Sequence, residues 1–433
     1  MSKYDKASLV HIPSGYKNGT LYNVLPNDAD GDFDFTRAST ATRVNKDGLI
    51  ETVATGTPRL DYPLLDGVVQ DCPALLLEPS RKNEVTYSED FSKLSSVSNL
   101  TITINQAISP DGSLTASSII DNATLGVHRT FTVYSTTIPT STAVTHYVFA
   151  KKKEHKWFQL STGGNTNDRW ANFDLENGII GNSSASANAE INDYGNGWYR
   201  CSIQATSTAT NASMAGLLTL TNNEDVTSRS PSYSGSVGGV YVWGLQIEQG
   251  SYATSYIPTS GSSVTRSADV CNGAEADFNS SEGVLYANVS ALADDDTTRR
   301  LSISDGTNDD RVLIGYSSSD RLQYVVSGGG TVFVNKLITV SDITLPTKTA
   351  FKYKLNDCAV WINGFEVDTD TSASMPSTLN TLNFDQANGT EDFYGKTKEV
   401  IAFNEALSDT ELEALTSYDS FTEMATEQLY TIE

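Results

Sequence analysis

The sequence predicts an all-β protein: two antiparallel β-sandwich (jelly-roll) domains, preceded by an irregular N-terminal segment, with one short C-terminal helix. Three observations lead there. Ser, Thr, Asn and Gly are abundant, only 19% of residues are charged, and long Ala/Leu/Glu/Lys runs of helical type are missing. Segments of strand length alternate apolar and polar residues. Gly, Asn and Ser punctuate these segments at near-even spacing, as in a sandwich or jelly roll.

In chain order, residues 1–85 come first. "PNDADGD" and "VNKDGL" are turn-rich, and apolar residues stay thin until "PALLLEPSR" (73–81). Such a segment cannot bury a core of its own, so it is expected to pack on a neighbour, either the next domain or another chain. Residues 86–270 are regular, with "LTITINQAI", "THYVFAKKK", "HKWFQLS", "RWANFDL", "WYRCSIQAT" and "VYVWGLQIE" reading as strands. Residues 271–433 form a second β domain. Its "CAVWINGFEVD" is a hairpin around Asn363-Gly364, the pair preferred in a type I′ turn. "SDTELEALTS" predicts a helix with Ser408 as N-cap, Glu411 completing a capping box, and Leu412 and Leu415 on its buried side.

The chain of 433 residues has room for two or three domains. Its net charge of −24 argues against nucleic acid, because phosphate binding needs a basic surface. The N-terminus lacks the apolar core of a signal peptide, and no apolar run predicts membrane insertion. Cys72, Cys201, Cys271 and Cys358 lie far apart with no C-x-x-C, which predicts buried free thiols.

Two stretches resemble known modules. In residues 87–270, "TYSEDFS", "PDGSLTAS", "ANFDLENGIIGN", "GNGWYRCSI", "VYVWGLQIEQGSYATSYIPT" and "SVTRSADV" resemble a carbohydrate-binding-like jelly roll of bacteriophage tail and fibre proteins. The preceding "DFDFTRASTATRVNKDGLIETV" and "LLLEPSRKNEVTYSEDF" resemble the lead-in of phage virion proteins. From residue 278 on, "AVWINGFEV" and "FYGKTKEVIAFNEALSDTELEAL" resemble a concanavalin A-like, laminin-G-type sandwich. The resemblance implies a virion structural protein, a tail or head fibre or appendage, made in the host cytoplasm. Implied partners are other virion proteins, sibling chains in a homo-oligomer (a trimer favoured) and a host-surface glycan. Implied roles are host recognition or particle decoration. A purely structural head or tail component is the alternative, and a secreted bacterial glycan-binding protein is a third.

The candidate site comes from strand parity. Side chains alternate between faces. In "HKWFQLS", Phe158 and Leu160 share one face, which leaves Trp157 with Gln159 on the polar one. The same test puts Trp170 with Asn172 and Trp198 with Arg200, whereas Trp243 falls with Tyr241, Leu245 and Ile247 and reads as core. Aromatic rings flanked by amides and a guanidinium suit a sugar, which has an apolar C–H face and a hydroxylated edge. Trp157, Gln159, Trp170, Asn172, Trp198 and Arg200 are therefore the glycan-binding candidates. A subunit or domain interface, or packing beneath a loop, accounts for the same parity.

Catalytic signals are weak. None of the four histidines sits in a metal-ligand spacing, no G-x-S-x-G elbow occurs, and E-x-D-x-x-E is absent. The expectation is no enzyme. For metal, "DDD" (294–296) and "SDGTNDD" (304–310) are acidic loops, and Asp305, Asp309 and Asp310 are candidate ligands for a structural Ca²⁺.

Overall fold

The computed structural model describes residues 4–135, 138–210, 213–420, 423–424 and 427–428. It is all-β, with antiparallel sheets and the short helix Asp409–Thr416. No helix among the described residues is long and apolar enough to cross a membrane.

The middle region is a sandwich of two six-stranded sheets. One runs in spatial order Ser96–Ser98, Arg129–Ser135, Ser213–Leu220, Trp157–Gly164, Trp170–Asp174, Ile179–Ser183. The other runs Leu100–Ala107, Ala116–Asp121, Gly239–Gln249, Ala143–Lys152, Trp198–Thr206, Glu190–Asp193. Phe158, Leu160, Ala171 and Phe173 from the first meet Val148, Cys201, Ile203 and Ile247 from the second in one core. The period-2 reading of these strands holds because both sheets bury one full face.

The parity of Trp243 is different. A β-bulge at Gly244 (φ +63°) sets Phe149 opposite Trp243 and Tyr147 opposite Gln246. The extra residue flips the alternation. Val242 and Leu245 both face the inter-sheet core, and Trp243 turns outward with Tyr241. It is still buried, under a second layer described below.

The C-terminal sandwich has one sheet of Ala274–Glu275, Thr381–Asn383, Arg299–Ser304, Arg311–Ser318, Arg321–Gly328 and Thr331–Thr339. Its other sheet contains the predicted hairpin, with Asn363 and Gly364 both at positive φ. The helix caps that sheet. The Ser408 N–H donates to Glu411 Oε2 at 2.9 Å, and Leu412 and Leu415 are buried.

The N-terminal segment packs on its own chain. Gly395–Phe403 pairs along one edge with Glu282–Ala291. Its other edge takes Ala7–His11 over one half and Ala74–Leu77 over the other, and Arg59–Asp61 extends the sheet beyond Ala74–Leu77. Strand pairing therefore crosses the boundary drawn at residue 85. Leu9, Phe33, Phe35, Leu60, Leu75 and Leu77 enter the C-terminal core. Each such side chain contributes about 1.5–3 kcal/mol on full burial, which the segment has no way to obtain alone. The linker between the sandwiches returns to the same segment, Val264–Arg266 on Arg81–Asn83 and Val270–Asn272 on Phe33–Thr36.

Candidate functional site

The six parity candidates do not form one patch. Trp157, Gln159, Trp170 and Asn172 lie on the outer face of the first jelly-roll sheet, and Trp198 and Arg200 lie on the outer face of the second. Within the first face, Trp157 pairs with Asp174 and Ser161 with Trp170, so the two tryptophans stand four residues apart, about 13 Å along the strand.

The first face is closed by the loop 221–231. Gln159 is fully buried, donates to Asn172 Oδ1 (2.9 Å) and Ser228 O (3.0 Å), and accepts from Ser230 N (2.8 Å). Asn172 donates to Asp225 Oδ1 (2.8 Å) and Val226 O (2.6 Å). Gly181 closes the cover over Trp157: a side chain there would meet the indole at 2.6 Å and collide with the Asp225 carboxylate. Trp157 is 8% exposed, so it offers no platform, and Trp170 is half-buried. Packing beneath a loop accounts for Trp157, Gln159 and Asn172.

The second face is covered by distant parts of the chain. Trp198 is 2% exposed and donates from Nε1 to Ile108 O at 2.9 Å. It packs with Ile50, Tyr147, Phe149, Trp243 and Tyr256, the layer that also buries Trp243. Trp198 is thus architectural. Arg200, two residues on, is not closed over. It borders a cleft of about 320 Å³ where the N-terminal segment, the jelly roll and the C-terminal sandwich meet. Tyr62, Arg43 and Asp61 come from the first, Asn192, Asp193, Tyr194, Arg200 and Thr254 from the second, and Ser290 and Lys396 from the third. A second cavity of about 460 Å³ adjoins it, sharing Leu64, Ser290, Thr344 and Lys396.

Arg200 stacks over Tyr147 and Tyr194, 5.6 Å from each ring centre. It donates to Asn192 Oδ1 (3.1 Å from Nη2) and Thr254 O (3.4 Å). Of the other cations lining the cleft, Arg43 pairs with Glu51 at 2.6 Å and Lys396 with Asp61 at 3.0 Å. Asp61 accordingly raises the pKa of Lys396. The Asp193 carboxylate accepts from Gly195 N at 2.8 Å.

The floor of the cleft rests on a buried ionic network. Arg59 pairs with Glu78 and with Asp269; Arg37 pairs with Asp269 at 3.0 Å and Arg266 with Glu78 at 2.6 Å. All five are buried. Ser255 binds the same group, its N–H donating to Glu78 Oε1 at 2.8 Å. Burial alone would push the Glu78 carboxyl up, but Arg266 and Arg59 override this and hold it well below the usual range. Glu248, nearby, is pushed up by burial and accepts from Thr254 N and Oγ1, each at 2.7 Å. The network residues sit in "FTRAS", "PRLDY", "LLLEPSR" and "TRSADV". Arg37, Glu78, Arg266 and Asp269 therefore lay within the lead-in and exit pieces, as motif and not as chemistry, whereas Arg59 lies between the two lead-in pieces.

The acidic loop 304–310 hydrogen-bonds to itself and to its neighbours. Asp310 accepts from Ser377 N (3.0 Å), Ser377 Oγ (2.8 Å) and Gly329 N (3.2 Å), and Asp305 accepts from Thr307 N at 2.9 Å. Among the described residues no group of three or more acidic, histidine or cysteine side chains is placed to hold a metal ion, so Asp305, Asp309 and Asp310 do not come together as a three-carboxylate group. His11, His128, His146 and His155 are all buried. All four cysteines are free. Cys201, Cys271 and Cys358 are buried as expected, but Cys72 is exposed.

No protein-family model and no curated protein matches the chain. Among solved structures, the CBM40 of Ruminococcus gnavus IT-sialidase bound to α2,3-sialyllactose is 15% identical over 32% of this chain and 84% of that one, with a TM-score of 0.29. Domains LG4-5 of the mouse laminin α1 chain are 10% identical over 66% and 90%, with a TM-score of 0.22. Trypanosoma rangeli sialidase in complex with sialic acid is 10% identical over 93% and 82%, with a TM-score of 0.27. At such scores none of them bears on what this chain binds.

Proposed function

We propose that this chain is a non-enzymatic glycan-recognition protein of a bacteriophage appendage, and that the three-way cleft at Arg200 is where it takes its ligand. One observation carries the reading: Tyr62, Tyr194, Asn192, Thr254 and Arg200 converge on an open concavity of small-ligand size. Rings supply contact area to a sugar, and amide, hydroxyl and guanidinium groups orient it. Burial of every histidine removes the commonest general base from any surface cleft. The phage setting rests on the resemblance of the lead-in, which supplies Arg37 and Glu78 to the network beneath the cleft. In this setting the chain assembles in the host cytoplasm with other virion proteins as a homo-oligomer, a trimer favoured. Repeated copies then raise a modest affinity by avidity.

The test is a glycan array probed with the full chain, alongside adsorption of the protein to host cells. Saturable binding to a defined glycan, without cleavage of it, is the expected result. No glycan binding by a folded protein would overturn the reading, and so would turnover of the glycan.

One observation favours the structural alternative. The edge strands Thr331–Thr339 and Phe365–Asp370 lie side by side, bridged by Lys336 to Asp368 at 3.1 Å. They leave Phe365, Val367, Val332 and Leu337 exposed. Unpaired apolar edges of this kind suit subunit contact. A change of oligomeric state in Phe365→Asp, read by light scattering, supports that role for this edge.

A further inference from the structure

The cleft of the proposed function has an unusual charge arrangement. Among the described residues, Arg43 and Lys396 have carboxylate partners within 4 Å and Arg200 has none, the carboxylates of Glu190 and Glu248 acting on it only at longer range. Its acceptors are one amide oxygen and one backbone carbonyl, both neutral, at 3.1–3.4 Å. A guanidinium has five N–H donors in a planar fork that matches a carboxylate, so donors remain for a ligand. Tyr147 and Tyr194 hold the fork in place from its faces. Beneath the floor, three arginines face the two carboxylates that pair with them. A second cue lies in the adjoining cavity. Asn288, 6% exposed, lines it, and its Oδ1 has no hydrogen-bond partner. A buried acceptor left unpaired is costly, and a hydroxyl or N–H of a ligand would satisfy it.

We infer that the cleft selects an acidic sugar, with Arg200 as the receptor of its carboxylate and the adjoining cavity receiving hydroxyl or amide donors of the same ligand. The inference rests on the glycan reading above and narrows it to one chemical class. In a protein this acidic, an anion is repelled at long range, so selectivity for it has to come from a local cation, and Arg200 is the one placed to supply it.

The experiment uses the full chain and a panel of oligosaccharides containing uronic or sialic acids, each beside its carboxyl-reduced twin, in calorimetric titration. At least one acid is expected to bind about 10- to 100-fold more tightly than its twin, the range of a charge-assisted hydrogen bond. Arg200→Met is expected to abolish that ratio and Arg200→Lys to keep part of it, each with an unchanged circular dichroism spectrum. Should the methionine variant not fold, the lysine variant and the twin ratio on the unaltered protein still decide. Equal binding of acids and twins would overturn the acidic-sugar inference and leave the glycan reading standing. Binding of no sugar would overturn both. A ratio that survives both substitutions would remove Arg200 from the role.

Discussion

The two outer faces of the jelly roll start alike and finish differently. Each carries tryptophans and polar side chains on strands that bury their other face. The first is covered by a loop from its own module, and Gln159 and Asn172 hydrogen-bond to Asp225, Val226, Ser228 and Ser230 of that loop. The second is covered by strands and turns from both ends of the chain, and where three bodies meet, a cleft is left open at Arg200. A cover that is local in sequence fits its sheet closely. A cover assembled from distant pieces leaves room at the seam, and in this protein that room holds the candidate site.

The largest expected effect is on what holds the seam. Arg59→Met leaves Glu78 and Asp269 without their shared partner in a buried setting, and such a loss costs about 3–5 kcal/mol. Urea unfolding should show it, with faster amide exchange in residues 33–78 and little change in 221–231. A loss below about 1 kcal/mol would break the view that the network organises the second face.

Acid acts next, and separates the shared core from the seam. His146 sits between the two sheets, and burial lowers its pKa to about 3; His11, in the N-terminal segment, is lowered to about 4 by burial. Both stay neutral in the folded protein while the unfolded chain takes up protons below about 6.5. Stability is therefore full above that value and falls as pH drops, by about 1.4 kcal/mol per pH unit for each histidine until its folded pKa is reached. Glu78 adds its loss only below its ordinary value near 4.5. His146→Gln should flatten the slope between pH 6.5 and 5; an unchanged slope would show that His146 does not carry it.

A smaller effect sharpens the comparison. Asn172→Ala removes the donor to Asp225 and Val226 and should cost about 1–3 kcal/mol. Limited proteolysis should then cut within 221–231, with ligand affinity at Arg200 unmoved. Coupled loss of binding would mean the faces are not independent. Smallest of all, Trp170→Tyr should change stability by about 0.5 kcal/mol or less and leave glycan binding intact.

These differences explain what could be read in the sequence. The inward faces of the strands, the Asn363-Gly364 hairpin and the Ser408 capping box were legible because each depends on residues within a few positions. Trp243 was rightly read as core but wrongly grouped with Leu245 and Ile247, because one bulge at Gly244 reverses the parity beyond it. Trp157 was placed on the correct face, with packing beneath a loop left as one of three readings, since alternation says which way a side chain points and nothing about what lies over it. Of the six candidates, Arg200 borders the cleft where the three bodies meet, and Trp198, almost wholly buried, borders a separate cavity of about 300 Å³. The Arg200 neighbours Tyr62, Asp61 and Lys396 were out of reach of any local pattern, because they come from opposite ends of the chain.

The edge shared by Ala7–His11 and Gly395–Phe403 has a consequence for synthesis. Ala7–His11 leaves the ribosome long before its complement exists, and at about 5–20 residues per second the wait is on the order of tens of seconds. Meanwhile the middle sandwich has every strand of its own and is free to close. Ala7–His11 thus waits beside a module that has all its strands, and the seam in which Arg200 stands cannot be completed until Gly395–Phe403 has been made.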